Sequence, residues 1–158
     1  MASRAAVAST TVPASQAAVW ELVCDTARYA AWVEGTDEVV RTDGEARAGS
    51  TYDERNTVIG PVKARSGWTV AEHEPPRRTL HRGEGIWIAD DVSIEMTLEP
   101  AGERATRLTL AFRYTPRFGP LGRLLAAAGL HRHLEAGFER SLRRLAEIAA
   151  QEHGAAAA

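Results

Sequence analysis

The side chains best placed to do chemistry in this sequence are those that a strand's period of two turns toward one covered face. In "STYDERNTV" the face of Tyr52 also carries Glu54 and Asn56, and in "VKARSGWTV" the face of Trp68 carries Ser66. In "RTLHRGEG" the face of Leu80 carries Arg82 and Glu84. Two later strands add Met96, Phe112 and Tyr114, and a C-terminal helix adds Phe138 and His131. An ionised group on a covered face is costly unless paired, so an inward Arg82 would meet Glu54, Glu84 or a polar ligand atom. As catalysts, Arg82 would polarise a carbonyl or stabilise an enolate while a carboxylate, Glu54 or Glu84, its pKa raised, moves a proton. The plainer alternative leaves these charges in water at strand edges. His131 has two readings of the same kind: an acid/base facing the sheet, or a satisfied residue at its rim.

Other chemistries have less to stand on. Cys24 has no cysteine with which to form an internal disulfide or a metal site. His131 and His133 stand about 200° apart on a helix and cannot share a metal from it. His73, His81 and His153 are scattered without ligand spacing, so neither metal nor cofactor is expected. The run Gly119 to Gly122 lacks the Lys-Ser/Thr ending of a phosphate loop. A net charge of −2, with Lys63 the sole lysine, argues against a nucleic-acid partner. No apolar run approaches the roughly 18 residues of a membrane span, and the opening residues are too weakly apolar for a secretory signal. The expectation is a cytoplasmic protein, monomer or homodimer.

The elements that would position these residues can be read from punctuation and period. With 158 residues, 44% of them hydrophobic and 25% charged, the sequence suits one globular domain, residues 1–154, with 155–158 as a disordered tail. Ala5 to Val12 reads as a strand ended by Pro13, and Ser15 as the cap of a short helix bearing Val19, Trp20 and Val23. Asp25 would cap a second short turn through Tyr29 to Trp32. From Thr36 to Thr115 about six further strands follow, separated by turn residues such as Asp43-Gly44 and Ala101-Gly102. Alternation is clearest in Val92, Ile94, Met96, Leu98 and in Leu108, Leu110, Phe112, Tyr114, as for a sheet covered on one side. Leu121, Leu124, Leu125, Ala128, Leu134, Phe138, Leu142, Leu145 and Ile148 then make one helical stripe about thirty residues long. Trp87 falls near a hairpin, where it would gate entry or sit exposed, and the turn from Phe118 to Leu121 offers a small apolar surface.

The segments "TVPASQAAVWELVCDTARYAAW", "GWTVAEHEPPRRTLHRGEG" and "FGPLGRLLAAAG" resemble the START-related helix-grip (SRPBCC) superfamily. That superfamily includes polyketide cyclases/dehydratases, plant pathogenesis-related allergens and ubiquinone-binding carriers. The resemblance implies an α+β fold in which a curved seven-stranded antiparallel sheet wraps a long C-terminal helix, with two short helices between strands 1 and 2. It also implies a cavity between sheet and helix that holds a hydrophobic or aromatic small molecule. Three functions fit: a cyclase/dehydratase-like enzyme, a non-catalytic lipid or quinone carrier or sensor, and, more weakly, a protein-interaction module.

Overall fold

The computed structural model describes residues 3–59, 61–86, 89–117, 119–125 and 129–154. Trp87, Phe118, Ala128 and the alanine tail lie outside the described residues. Seven strands form one antiparallel sheet: β1 (Arg4–Val12), β2 (Thr36–Thr42), β3 (Thr51–Ile59), β4 (Val62–Glu74), β5 (Arg78–Glu84), β6 (Ala89–Pro100) and β7 (Thr106–Pro116). Their order is β2-β3-β4-β5-β6-β7-β1, so the first strand returns to pair with the last, with Arg4 opposite Tyr114 and Val12 opposite Thr106.

The one-sided alternation of the sequence becomes burial. Ala6, Ala8 and Val12 of β1, Val92, Met96 and Leu98 of β6, and Leu108, Leu110 and Tyr114 of β7 are all buried. The opposite face carries ion pairs such as Asp53 with Arg41 and Arg65, and Arg78 with Glu72 and Glu95. Exposed pairs of this sort contribute little to stability, about 0–1 kcal/mol each, and mainly keep that face wet.

Between β1 and β2 lie α1 (Gln16–Cys24), a 3-10 turn (Thr26–Arg28) and α2 (Tyr29–Trp32). The Ser15 hydroxyl accepts from the Ala18 N–H at 3.3 Å, capping α1 as expected. Asp25 departs from expectation: it precedes the 3-10 turn without a side-chain capping bond, and its backbone bridges to Glu45. The apolar faces of these short helices, Val19, Trp20, Leu22, Val23, Tyr29 and Trp32, close the core against the sheet.

The C-terminal stripe is not one helix. It divides into α3 (Gly119–Leu125) and α4 (His131–Ala149), with Gly129 at φ +146, a conformation open to glycine and strained for other residues. On α4 the stripe is buried as its period requires, through Leu142, Leu145 and Ala149. On α3 it is not: Leu121 and Leu124 are 62% and 65% exposed. The continuous pattern in sequence is thus buried on α4 and exposed at Leu121 and Leu124 of α3.

α4 packs along β1 and reaches α1 and α2. Its Phe138 ring lies 5.3 Å from that of Phe112 on β7. One turn later, Ser141 Oγ accepts from the Glu34 N–H at 2.8 Å, and Arg140 and Arg144 hold the Glu34 carboxylate. The helix thus spans the inner face from β7 to the entry of β2.

Candidate functional site on the inner face

On β3 the inner face carries Tyr52, Glu54 and Asn56, and on β4 it carries Ser66, Trp68 and Val70, with Tyr52 opposite Trp68 and Glu54 opposite Ser66. Glu54 is a buried carboxyl, 5% exposed. Its Oε2 accepts from Trp68 Nε1 at 3.1 Å, and the same N–H reaches Ser66 Oγ at 3.1 Å. Asn56 Nδ2 donates to Ser66 Oγ at 2.6 Å. Burial pushes Glu54 up to about 7, partly offset by hydrogen bonds from Trp68 and Thr36 that favour the anion.

Beside this carboxyl runs a chain of buried hydrogen bonds. Thr79 Oγ1 donates to the Glu72 carbonyl at 3.2 Å, so toward His81 Nε2, 3.0 Å away, it acts as acceptor. His81 therefore carries its proton on Nε2 and presents a lone pair at Nδ1, which takes the Tyr52 hydroxyl at 2.8 Å. Burial holds His81 down at about 4, so the ring is neutral, and it pushes the Tyr52 and Tyr29 hydroxyls well above the usual phenol range. The Tyr29 hydroxyl donates to the Val23 carbonyl. The rings of Tyr29, Tyr52 and Trp68 follow one another at 5.3 and 6.4 Å, forming an aromatic wall under the short helices.

β5 corrects the expected register. Thr79, His81 and Gly83 face inward, while Arg82 and Glu84 are exposed on the other face. The reason is the Trp68 indole, which lies across Gly83: a Cβ there would meet the ring at 2.8 Å. Gly83 pairs with Trp68 on one side and Val92 on the other, and the alternation then turns Leu80, Arg82 and Glu84 outward together. Desolvation agrees, since that register leaves two charges in water.

On the β6–β7 side, Met96 and Tyr114 are buried, and Phe112 and Phe138 are half-buried against the core. His131 sits at the start of α4, half-buried, with Nε2 3.2 Å from Glu135 Oε1. Sequence reasoning missed Thr36, Thr79 and His81. The available signal was the uncharged alternation Thr79, His81, Gly83 set against the charged Arg78, Arg82, Glu84.

Cys24 is buried and pushed up to about 12, chiefly by desolvation, so its thiol stays protonated. Among the described residues no three His, Cys, Asp or Glu side chains converge as metal ligands, and no helix is long and apolar enough to cross a membrane. An open recess beside Pro13, Ser15, Arg104 and His153 lies at the α1 end, apart from Glu54.

Residues 4–150 match the family model described as polyketide cyclase / dehydrase and lipid transport. Among solved structures, the Thermus thermophilus protein TTHA0849 is 18% identical, with a TM-score of 0.75 over 95% of this chain and 99% of that one. The Zhui aromatase/cyclase of Streptomyces sp. R1128 is 21% identical, with a TM-score of 0.70 over 94% of each chain. A Chromobacterium violaceum protein, CV1439, is 18% identical, with a TM-score of 0.72 over 92% of this chain and 96% of that one. At these identities the likeness is one of fold, the helix-grip fold. No curated protein matches the chain.

Proposed function

We propose, for a chain that belongs to the polyketide cyclase / dehydrase and lipid transport family, that the inner face beneath α4 binds a hydrophobic, partly aromatic small molecule and that Glu54 moves protons on it. The observation that supports this best is a carboxyl set in an apolar wall and raised to about 7 by burial. At neutral pH such a group exists in both forms. It can take a proton from the carbon beside a carbonyl and give one to a departing hydroxyl, so that water leaves. The Trp68 N–H fixes the carboxyl's orientation, while Tyr52, Asn56, Ser66, Met96, Phe112, Tyr114 and Phe138 supply the walls. Confinement of a flexible substrate supplies much of the acceleration in ring closures of this kind. Arg82 and Glu84 point to solvent and have no part in this reading. The same reading takes the protein as cytoplasmic, a monomer or homodimer, with no nucleic-acid partner, in keeping with its net charge of −2.

A second reading, a non-catalytic carrier of a lipid or quinone, has its own support. Among the described residues no arginine or lysine side chain is buried, and Arg82, the cation expected to stabilise an enolate, is exposed on the outer face. Native mass spectrometry of the purified protein, followed by extraction and incubation of whatever it retains, separates the two. Conversion of that molecule by the wild type but not by Glu54→Gln is the outcome expected for the enzyme. Recovery of an unchanged lipid or quinone, with Glu54→Gln binding it equally, would leave the carrier.

A further inference from the structure

Two buried polar atoms on facing elements lack a hydrogen-bond partner among the described residues: the Tyr114 hydroxyl on β7 and His131 Nδ1 at the start of α4. Tyr114 is 2% exposed, so its hydroxyl has little access to water. An unpaired buried hydroxyl is costly, and folded proteins seldom keep one that nothing uses. Both atoms lie on the same side of the Phe112–Phe138 contact. Tyr114 is two residues beyond Phe112, toward the end where β7 leaves the sheet, and His131 is two turns before Phe138, where α4 begins. Arg4 and Glu135 are the charged groups near enough to act on the Tyr114 hydroxyl.

The hydrogen-bonding character of this pair can be derived. His131 Nε2 lies 3.2 Å from Glu135 Oε1, and a carboxylate only accepts, so Nε2 carries the proton. With Nε2 as the donor, the tautomer that serves a ligand presents its lone pair at Nδ1. Tyr114 has no acceptor for its proton and offers it. One donor and one acceptor therefore stand beside an apolar surface of Phe112, Leu134 and Phe138, all half-buried. A hydroxyl is their complement, since its oxygen accepts from Tyr114 while its hydrogen goes to His131. An ether or ketone answers Tyr114 alone, and a carboxylate meets the repulsion of Glu135.

We propose that Tyr114 and His131, oriented by Glu135, form a second polar pole of the ligand site that receives a phenolic or enolic hydroxyl of the bound molecule. This rests on the reading of the inner face as a small-molecule site. It adds a chemical class to that reading: an aromatic or enolised ligand with a free hydroxyl at the α4 end, apart from the carbon chemistry at Glu54.

Three probes test it on the full chain at neutral pH, with affinities read by calorimetry: 2-naphthol, 2-methoxynaphthalene and naphthalene. The expected result is that the wild type prefers 2-naphthol to its methyl ether by about tenfold, the worth of one buried hydrogen bond. His131→Leu brings that preference to within about twofold, because only the hydroxyl donates to Nδ1, whereas Tyr114→Phe removes the advantage of the ether over naphthalene. The unliganded Tyr114→Phe protein melts at or above the wild-type temperature. Equal wild-type affinity for 2-naphthol and its ether would overturn the pole while leaving small-molecule binding in place, as would a preference that survives in His131→Leu. A lower melting temperature for Tyr114→Phe would show that the hydroxyl already has a partner, and would also overturn it. Failure of all three probes to bind would remove the small-molecule site and this pole with it.

Discussion

Tyr52 and Tyr114 are buried to the same degree, 3% and 2% exposed, on the same face of one sheet, yet their hydroxyls are treated in opposite ways. The Tyr52 hydroxyl ends a chain through His81 and Thr79 in which each member is satisfied. The Tyr114 hydroxyl has no partner among the described residues. Burial alone therefore does not tell a structural polar group from one held in reserve. Pairing does, because a satisfied network rigidifies the core, whereas an unpaired buried hydroxyl costs stability and is the atom proposed above to meet a ligand.

The largest test of this contrast is His81→Leu, which leaves the Tyr52 hydroxyl unpaired in the core. Urea denaturation should show a loss of about 3 kcal/mol, and the melting temperature should fall by roughly 10 °C. A loss below about 1 kcal/mol would mean that the chain is not what secures this region.

Next in size is the pH response, where Glu54 and His81 oppose one another. His81, held at about 4 against an ordinary 6.5, stays neutral in the fold while the unfolded chain takes up a proton. Its contribution is present above pH 6.5 and lost as pH falls toward 4. Glu54, raised to about 7 from 4.5, keeps its proton in the fold while the unfolded chain releases it. Its contribution is full below pH 4.5 and lost as pH rises through 7. Between about pH 4.5 and 6.5 the two slopes, each about 1.4 kcal/mol per unit, cancel. Glu54→Gln should uncover a stability that rises with pH in that window, and His81→Leu one that falls. Denaturation at several pH values reads both, and slopes of the same sign in the two variants would contradict the assignment.

The sharpest version of the comparison uses the smallest effects. Tyr52→Phe strands His81 Nδ1 and should cost about 1–2 kcal/mol, whereas Tyr114→Phe removes an unpaired hydroxyl and should be neutral or stabilise by up to about 1 kcal/mol. The same substitution in the same sheet should differ in sign by calorimetry.

These contrasts also mark what the sequence could reveal. The faces of β6 and β7 are legible because each sets apolar or aromatic residues against polar ones, and those of β3 and β4 because Tyr52 and Trp68 mark the inward side. β5 misleads because its most apolar residue, Leu80, shares a face with Arg82 and Glu84, and that face is the outer one. Its true register depends on the Trp68 ring crossing Gly83, a contact between residues fifteen positions apart that no local period encodes. Burial of Glu54 followed from its place beside Tyr52, but its Trp68 partner and the pairing of Tyr52 with His81 required the strands to be laid side by side. Gly129, at φ +146, interrupts a helical spacing of apolar residues that continues on both sides of it.

The pairing of β1 with β7 bears on how this molecule is made. Thr11 finds Arg107, and Arg4 finds Tyr114, so β1 leaves the ribosome about a hundred residues before its partner. At roughly 5–20 residues per second, that strand waits on the order of 5–20 seconds with its hydrogen-bonding edge unmatched. Closure of the sheet cannot begin at its start, and contacts this distant in sequence make for slow folding. For this interval the nascent chain presents an Ala/Val/Thr ribbon to any other strand in reach, so β1 needs protection during synthesis until β7 follows it.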